Sequence, residues 1–506
     1  MKPVSTGLNF LAWLFIRLPL GFSLPFIVMS VGWIFGGFAW ANTRIAIPAA
    51  SLISATLARL LPASVSATLN NDLSAFVHAA LVIALFAVGF VLAYNLSALI
   101  NWALLMLDLK PTPFGPAAPV APVAPMAQSQ ATGPFAHTRR IGIVLAGGGA
   151  KGAYQAGAMR AIYGFLEEHN ALSKVSVISG TSIGSWNALF WLAGLIKPQA
   201  GDARSAHEKW WRAISAKSLT APSWYVPFLR NSFLSSLPWE RSFDRIFGNE
   251  AVASHLASSP VHFYLTRSNV RSGQLECATN NPAPPPVPRV SYEVIEAGRD
   301  PQEFLAAVKA GVFASMDLPP LFPYALRDGK QFEDGGVIDN LPITFAAIEE
   351  CDLVFILPLN ASFEEVPNER SILARFLRVM DVRQGALERG GFKLLYLYNE
   401  LAALRSQVSG PPAADASVAH SFEPLAFALR RRNSVINVFA VCPLKSFVED
   451  TINTVELWKN VEAGVAFDVM HTATQKLLPQ FAFDHQDGVR VALVSREGDV
   501  TWDADF

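Results

Sequence analysis

The chain has 506 residues, of which 51% are hydrophobic and 16% charged, and its mean hydropathy of +0.30 is high for a soluble protein of this size. A formal net charge of −1 provides no basic field for nucleic acid, which argues against a nucleic-acid-binding protein. The three cysteines are scattered (Cys277, Cys351 and Cys442) and form neither a disulfide framework nor a Cys-x-x-Cys metal pair, which fits a reducing compartment.

Two long apolar segments without charge lie near the N-terminus. Leu20–Trp40 is one, and Leu73–Leu107 contains no Asp, Glu, Lys or Arg. Because about 20 apolar residues span a bilayer as a helix, we predict two transmembrane helices, at about 20–40 and 79–102, in a membrane anchor over residues 1–110. The alternative for the first segment is a cleaved signal peptide, but the segment is longer than an h-region of roughly 7–15 residues. The alternative for the second is a buried helix of a soluble domain.

Basic residues near these segments bear on membrane topology. Five flank the predicted pair of spans on its outer sides (Lys2, Arg17, Lys110, Arg139 and Arg140), and two lie in the loop between the spans (Arg44 and Arg59). The distribution favours both ends in the cytoplasm. We therefore expect a multi-pass membrane protein whose remaining chain lies in the cytoplasm.

Composition divides the rest of the chain into three parts. Residues 111–138 are rich in Pro and Ala and have no hydrophobic period, which is typical of an extended linker. Residues 139–475 have the strand and helix patterns of a globular domain, and we interpret residues 476–506 as a C-terminal tail.

A glycine-rich loop opens the globular domain. The apolar segment Ile141–Ala146 predicts a buried strand. The sequence GGGAKG follows it, and then a segment with helical spacing of apolar residues (the glycines are Gly147, Gly148, Gly149 and Gly152). Such a loop presents consecutive backbone N–H groups at the start of a helix, which suits the binding of an anion.

The following strand decides which anion this loop suits. A dinucleotide site needs an acidic residue at the end of the second strand, but here the strand at 175–179 leads into SGTSIG. A P-loop needs Gly-Lys-Ser/Thr, whereas Lys151 is followed by Gly152. We therefore expect no nucleotide, no metal and no other cofactor. The remaining anion is the tetrahedral oxyanion of an acyl transfer.

A serine occupies the end of that second strand. Ser182 lies between Gly180 and Gly184 in a G-x-S-x-G pattern, after an apolar strand and before a helix-like segment. This strand–turn–helix context is that of a nucleophile elbow. The alternative is that Ser182 or Ser185 caps the helix.

A serine nucleophile needs a base. In the usual chain order of α/β-hydrolases, an acid and then a histidine follow the serine, and three late histidines are in place for this (His420, His471 and His485). A stronger candidate is Asp334, which ends the second strand of a hairpin predicted to turn at Asp328 and Gly329. Gly335 and Gly336 follow it, where the backbone can approach another loop closely.

The motifs GGGAKG, GTSIG and DGG, in this order, resemble the patatin-like phospholipase family. The resemblance covers about residues 139–475 and includes the segments 261–276, 314–323 and 436–443. It implies a three-layer α/β sandwich with a mainly parallel central sheet and a Ser-Asp dyad without histidine. By this resemblance Ser182 is the nucleophile, Asp334 is the proton acceptor and the amides of Gly147, Gly148 and Gly149 form the oxyanion hole. The motif glycines are Gly152, Gly180, Gly184, Gly335 and Gly336.

The resemblance and the N-terminal segments together predict a membrane-anchored serine hydrolase that acts on a membrane lipid. A non-catalytic membrane scaffold with the same fold, and a lipid acyltransferase with the same dyad, are the alternatives. Lys151 stands where many members of the family carry Arg, and we expect it to face solvent or a lipid headgroup. Ile183 stands where a small residue is frequent, which could narrow the acyl site.

Two further segments carry open interpretations. Residues 201–260 are rich in aromatic side chains (Trp210, Trp211, Trp224, Phe228, Phe233 and Trp239), which either belong to the core or form a lid or a membrane-facing acyl funnel. Residues 363–435 include the basic triplet 430–432, which either lies on a solvated helix face or contacts headgroups.

Overall fold

The computed structural model describes most of the globular domain and two short parts of the N-terminal region. The described residues are 42–60, 77–84, 133–214, 221–222, 232, 234–296, 298, 300–319, 321–327, 329–360, 362, 372–407, 435–444, 463–481 and 488–503. The predicted span at 20–40 and residues 111–132 of the predicted linker lie outside this set, as do Trp224, Phe228, Phe233 and the basic triplet.

The chain divides into two compact units. One consists of Met1–Thr112 and Pro222–Phe233, and the other of Pro113–Ala221 and Leu234–Phe506. In the first unit, a π-helical turn at Asn42–Ala46 leads into helix Ile47–Leu60 (α1), and residues 77–84 form helix α2. Over the described residues, which include only 79–84 of the predicted second span, no helix is long and apolar enough to cross a membrane.

The second unit alternates strands and helices along the chain. The short strand β3 (Ala221–Pro222) contains one residue of each unit. The strands of the second unit are β1 (Ile141–Leu145), β2 (Val175–Thr181), β4 (Leu234–Ser235), β5 (His262–Asn269), β6 (Gln274–Thr279), β7 (Val290–Val294), β8 (Ala325–Arg327), β9 (Lys330–Asp334), β10 (Leu353–Leu357), β11 (Asn437–Pro443), β12 (Val489–Val494) and β13 (Val500–Asp503). Its helices are α3 (Gly152–Glu168), α4 (Ile183–Leu192), α5 (Ala206–Ala213), α6 (Leu237–Phe247), α7 (Glu250–Ala257), α8 (Pro301–Met316), α9 (Ile343–Ile348), α10 (Ile372–Gln407) and α11 (Ala463–Leu477).

One sheet organises this unit. Its described strands lie in the order β13-β12-β11-β10-β1-β2-β5-β6-β7, and β9 pairs with β5 and with β8. The central pairs are parallel, and every residue of β1 and β10 is buried, as expected of parallel strands covered on both faces. The predicted α/β class with a mainly parallel sheet is therefore confirmed.

The boundaries of the domain differ from those that we predicted. β12 pairs with β11, and β13 pairs with β12, so the sheet continues past residue 475 into the segment that we interpreted as a tail. At the other end, Phe135 of the predicted linker is fully buried and its ring packs against Phe165 and His169. Both differences depend on long-range contacts, which local sequence patterns do not report.

The register of β5 brings two chain segments together. β2 runs parallel to β5 and its last residue, Thr181, lies opposite Thr266. β9 runs antiparallel to β5 and its last residue, Asp334, lies opposite Arg267. Because β6 pairs with β5 along its other edge, β2 and β9 end one residue apart on the same edge of β5.

Candidate active site

Ser182 occupies a strained turn between β2 and α4. Its φ is 53° and its ψ is −124°, and a positive φ is uncommon for a residue with a side chain. Its backbone N–H donates to the hydroxyl of Ser315, at 2.9 Å, which helps to hold the turn. The residue is half-buried. Such strain concentrates at functional sites, and the geometry is that of a nucleophile elbow.

Close backbone contacts around Ser182 explain the glycines beside it. A Cβ on Gly184 would overlap the carbonyl oxygen of Leu145, and a Cβ on Gly180 would lie 2.7 Å from the carbonyl carbon of Gly184. Helix α4 can therefore start directly against the end of β1. Gly152 is similarly enclosed, since a Cβ there would lie 2.8 Å from the ring of Trp211.

Asp334 lies at the end of β9 and is 1% exposed. Its carboxylate accepts a hydrogen bond from the Gly336 N–H, at 2.7 Å, and lies close enough to the Ser182 hydroxyl for that hydroxyl to affect its pKa. Burial raises the pKa of Asp334 to about 6, against the Ser182 hydroxyl and the Gly336 N–H, which lower the pKa. The structure thus brings Ser182 and Asp334 together across 152 positions of sequence because β2 and β9 meet on one edge of β5.

The two glycines after Asp334 allow the chain to turn closely around this point. A Cβ on Gly335 would overlap the hydroxyl of Thr266, and a Cβ on Gly336 would lie 2.5 Å from Oδ1 of Asn340. Residues Gly335–Val337 form a 3₁₀ turn that starts at Asp334. A larger residue at either position would therefore have to displace Thr266 or Asn340.

The glycine-rich loop lies beside Ser182. A Cβ on Gly147 would lie 3.1 Å from Cβ of Ser182. The N–H of Gly147 donates to the carbonyl of Asn340, at 3.1 Å, so it is not available for an oxyanion, contrary to our prediction. Over the described residues, the N–H groups of Gly148 and Gly149 have no hydrogen-bond partner. Only these two amides of the predicted three remain as donors.

Lys151 does not face solvent. Its side chain is 2% exposed, and its ammonium group donates to Oδ1 of Asn360 and forms an ion pair with Asp381 of α10. The prediction of a solvent-facing or headgroup contact was therefore wrong. Local sequence could not reveal these contacts, since Asn360 and Asp381 lie more than 200 positions after Lys151 in the chain.

Sequence reasoning missed two carboxyl groups close to Asp334. Asp317 accepts the Asp334 N–H with its backbone carbonyl, at 2.9 Å, and its side chain is almost fully buried. Burial, and then the negative charge of Asp334, raise the pKa of Asp317 to about 9. Burial also raises the pKa of Glu333 to about 7. The sequence signal for Asp317 was its place as the one charged residue of the segment ASMDLPP.

Histidines occupy other places. His471 lies in α11, where its ring stacks on Phe467, and His420 and His485 lie outside the described residues. His207 is fully buried and bonds to Asn187, and burial lowers its pKa to about 3. Within the described ranges, no histidine is hydrogen-bonded to Ser182 or Asp334.

The described aromatic residues of segment 201–260 belong to the core. Trp210, Trp211 and Trp239 are buried, and two of them pack against Trp186, four positions after Ser182. For these three, the core interpretation is the better one. In the part of the chain that the structure describes, no group of three or more His, Cys, Asp or Glu side chains could hold a metal ion.

Comparison with known proteins identifies the domain that contains this site. Residues 143–347 match a family described as patatin-like phospholipase. This range includes Ser182, Asp334 and all the motif glycines, so a patatin-like phospholipase domain is present.

Two of the proteins to which this chain is similar are fungal lysophospholipases. Lysophospholipase NTE1 of Phaeosphaeria nodorum is 29% identical over 234 residues, which is 45% of this chain and 12% of that protein. Lysophospholipase NTE1 of Saccharomyces cerevisiae is 27% identical over 237 residues, which is 45% of this chain and 11% of that protein. The chain thus matches about an eighth of the length of these relatives. The crystal structure of VipD from Legionella pneumophila matches 68% of this chain and 67% of its own, with 16% identity and a TM-score of 0.30, a likeness too low to support an argument.

Proposed function

We propose, from the patatin-like phospholipase domain that residues 143–347 carry, that this chain hydrolyses lipid esters with Ser182 as nucleophile and Asp334 as base. The observation that carries the proposal is the placement of the Ser182 hydroxyl beside the buried Asp334 carboxylate, whose pKa it lowers, on a turn with a positive φ. A helix-capping role for Ser182 does not require this placement, and the side chain of Ser182 caps nothing.

In the proposed reaction, the hydroxyl oxygen of Ser182 attacks the ester carbonyl while its proton passes to Asp334. The carbonyl oxygen becomes an oxyanion, which the N–H groups of Gly148 and Gly149 stabilise. Collapse of this intermediate breaks the ester bond, and the leaving alcohol takes the proton from Asp334. Water then attacks the acyl-serine, with Asp334 again accepting a proton, and releases the fatty acid and the free serine.

The environment of Asp334 suits this role. A carboxylate with an ordinary pKa near 3.9 is a weak base toward an alcohol. A pKa raised to about 6 gives the carboxylate more affinity for the proton, and the group is still ionised at neutral pH. Exclusion of water by an acyl chain would strengthen both effects.

A lipid substrate and a membrane location complete the proposal. The relatives named lysophospholipase support a phospholipid with one acyl chain as the first substrate to test. The two long apolar segments in residues 1–110 support a membrane anchor with two spans and a cytoplasmic catalytic domain. A lipid hydrolase held at a bilayer would be close to its substrate.

Covalent labelling tests the nucleophile directly. We expect a fluorophosphonate probe to label the purified full chain at Ser182 and to abolish release of fatty acid from lysophosphatidylcholine micelles. Ser182→Ala should neither label nor turn over, whereas Ser185→Ala, three positions on in the same helix start, should still label. Labelling that persists in Ser182→Ala would contradict the proposed nucleophile, and a wild-type chain that does not label would favour a non-catalytic scaffold.

The pH dependence of turnover provides a separate prediction. The base must be ionised, so kcat/KM should rise as pH rises through about 6, the pKa of Asp334. It should fall above about 9, where Asp317 ionises and its charge opposes the oxyanion. Asp317→Asn should keep the acid limb and lose the alkaline limb. The check is a profile of kcat/KM from pH 4 to 10, and an unchanged alkaline limb in Asp317→Asn would contradict this assignment.

A further inference from the structure

The buried carboxylate of Glu388, on α10, accepts hydrogen bonds from four donors next to the glycine-rich loop. Glu388 is 0% exposed. Its Oε1 accepts from the side-chain amides of Asn340, at 2.6 Å, and Asn360, at 2.9 Å. Its Oε2 accepts from the backbone N–H groups of Leu359, at 3.2 Å, and Asn360, at 2.9 Å. An ionised carboxylate can accept all four bonds, because it has about four lone-pair sites and no proton to donate.

The same two asparagine side chains also hold a peptide bond of the loop. The Nδ2 groups of Asn340 and Asn360 donate to the carbonyl oxygen of Gly147, at 3.0 and 3.2 Å. Both partners of each Nδ2, the Gly147 carbonyl and the Glu388 carboxylate, can only accept. This fixes which end of each amide is nitrogen.

The peptide bond concerned carries one of the proposed oxyanion donors. The carbonyl of Gly147 and the N–H of Gly148 belong to one planar trans unit, and they point in opposite directions. Fixing the carbonyl therefore fixes the direction of the Gly148 N–H. Two hydrogen bonds to the carbonyl also polarise the unit, which makes the N–H a stronger donor.

Further contacts support the loop and its attachment to α10. A Cβ on Gly148 would lie 2.7 Å from Cδ1 of Leu359, so that side chain packs directly against the loop. Lys151, at the other end of the loop, is paired with Asp381 of α10. Helix α10 approaches closely at Gly385, where a Cβ would lie 2.5 Å from the carbonyl oxygen of Asn360.

We infer that Glu388 is a positioning residue, which through Asn340 and Asn360 directs the Gly148 N–H toward the oxyanion. The inference rests on the proposed function. Helix α10 therefore contributes to catalysis although it begins 190 positions after Ser182 and lies outside the matched range 143–347. Neither Glu388 nor the two asparagines touch the reacting atoms in this scheme.

Glu388→Gln is the variant that tests the inference. Its amide has nearly the shape of the carboxylate but presents an NH₂ group to at least one of the four donors, which turns an attractive pair into a repulsive one. The asparagine amides must then shift, and the Gly147 carbonyl loses a donor. We expect kcat to fall by roughly 10- to 100-fold, less than for removal of an oxyanion donor, and KM to stay within about 3-fold, because the peptide acts mainly on the transition state.

A matched control separates positioning from stability. Glu349 is another buried glutamate, and it accepts from Tyr264, Asn281 and Arg140 beside the N-terminal ends of β1 and β5, opposite the end that leads to Ser182. Glu349→Gln should lower Tm as Glu388→Gln does, but leave kcat near that of the wild type.

The experiment compares the wild type, Glu388→Gln, Glu349→Gln and Ser182→Ala as full chains in detergent. The measurements are kcat and KM for 4-nitrophenyl butyrate, Tm, and the inhibition constant of a long-chain alkyl trifluoromethyl ketone, whose serine adduct carries a negative oxygen. We expect the ketone to bind Glu388→Gln more weakly by about the factor lost in kcat, and Glu349→Gln as tightly as the wild type.

Each outcome decides between the inference and its premise. If Ser182→Ala turns over like the wild type, the proposed function fails. If Ser182→Ala is inactive but Glu388→Gln keeps kcat and ketone affinity within 3-fold of the wild type, only the role of Glu388 fails. The same conclusion follows if Glu388→Gln loses no more kcat and ketone affinity than Glu349→Gln does. If Glu388→Gln does not fold, Asn360→Ala, which removes one donor to the Gly147 carbonyl, is judged by the same kcat and ketone criteria.

Discussion

Asp334→Asn should lower kcat/KM almost as far as Ser182→Ala, by about 10⁴-fold or more, and the double variant should be no worse than either single one. Removal of either residue of one catalytic unit removes nearly the whole rate enhancement that the unit provides, so the losses from two substitutions do not add. The asparagine keeps the shape of the side chain but cannot accept the proton of Ser182. The measurement is hydrolysis of a short-chain chromogenic ester in detergent.

Three histidine variants provide the control for this prediction. His420→Ala, His471→Ala and His485→Ala should keep turnover near that of the wild type. A triad with histidine predicts the opposite, since loss of its histidine abolishes turnover and Asp334→Asn leaves measurable activity. An inactive histidine variant that still folds would therefore disprove the dyad.

Gly149→Ala should lower kcat by roughly 10²- to 10³-fold, the range for loss of one oxyanion donor, with little loss of fold. Gly149 has a φ of +57°, and a Cβ there would meet nothing within 4 Å. The substitution is therefore strained by the backbone alone, at a cost of about 1–2 kcal/mol. Relief of that strain rotates the backbone toward negative φ and moves the N–H away from the oxyanion.

Gly273→Ala is the matched control. Gly273 has a φ of +66° and equally open surroundings, but it lies in the turn between β5 and β6, away from the loop. Both variants should show a similar decrease of Tm, and only Gly149→Ala should lose turnover. If both keep full activity while circular dichroism shows a native fold, the glycine loop has a packing role and the oxyanion assignment is wrong.

Local sequence was sufficient for the elements that surround the site. The segment Ile141–Ala146 is a continuous apolar run, and a run of this kind suits a strand buried on both faces; the structure has β1 there. Ser182 and its glycines were recognisable because an elbow requires a sharp turn within five residues. Asp334 was recognisable because a hairpin pattern and two glycines flank it.

Partners far apart in sequence were not recognisable. Lys151 lies in a polar-looking loop, and nothing near it indicates that Asn360 and Asp381 cover it. The Gly147 N–H donates to the backbone carbonyl of Asn340, which lies 193 positions away in the sequence. Glu388 lies in a helix whose charged residues are spaced as in an exposed amphipathic helix, so the sequence predicts a solvent-exposed face there.

The sequence by itself determined the α/β class and predicted the candidate nucleophile, the candidate base and the glycine-rich loop, since each depends on the spacing of residues within one short segment. Tertiary structure alone decided that β2 and β9 end one residue apart on β5, which joins Ser182 to Asp334. It also decided, over the described residues, that the Gly147 N–H is bonded to Asn340 and that the buried Glu388 of α10 accepts from the side chain of the same Asn340. These features depend on sheet register and on buried hydrogen bonds between distant segments, and such pairings leave no periodic signal along the chain.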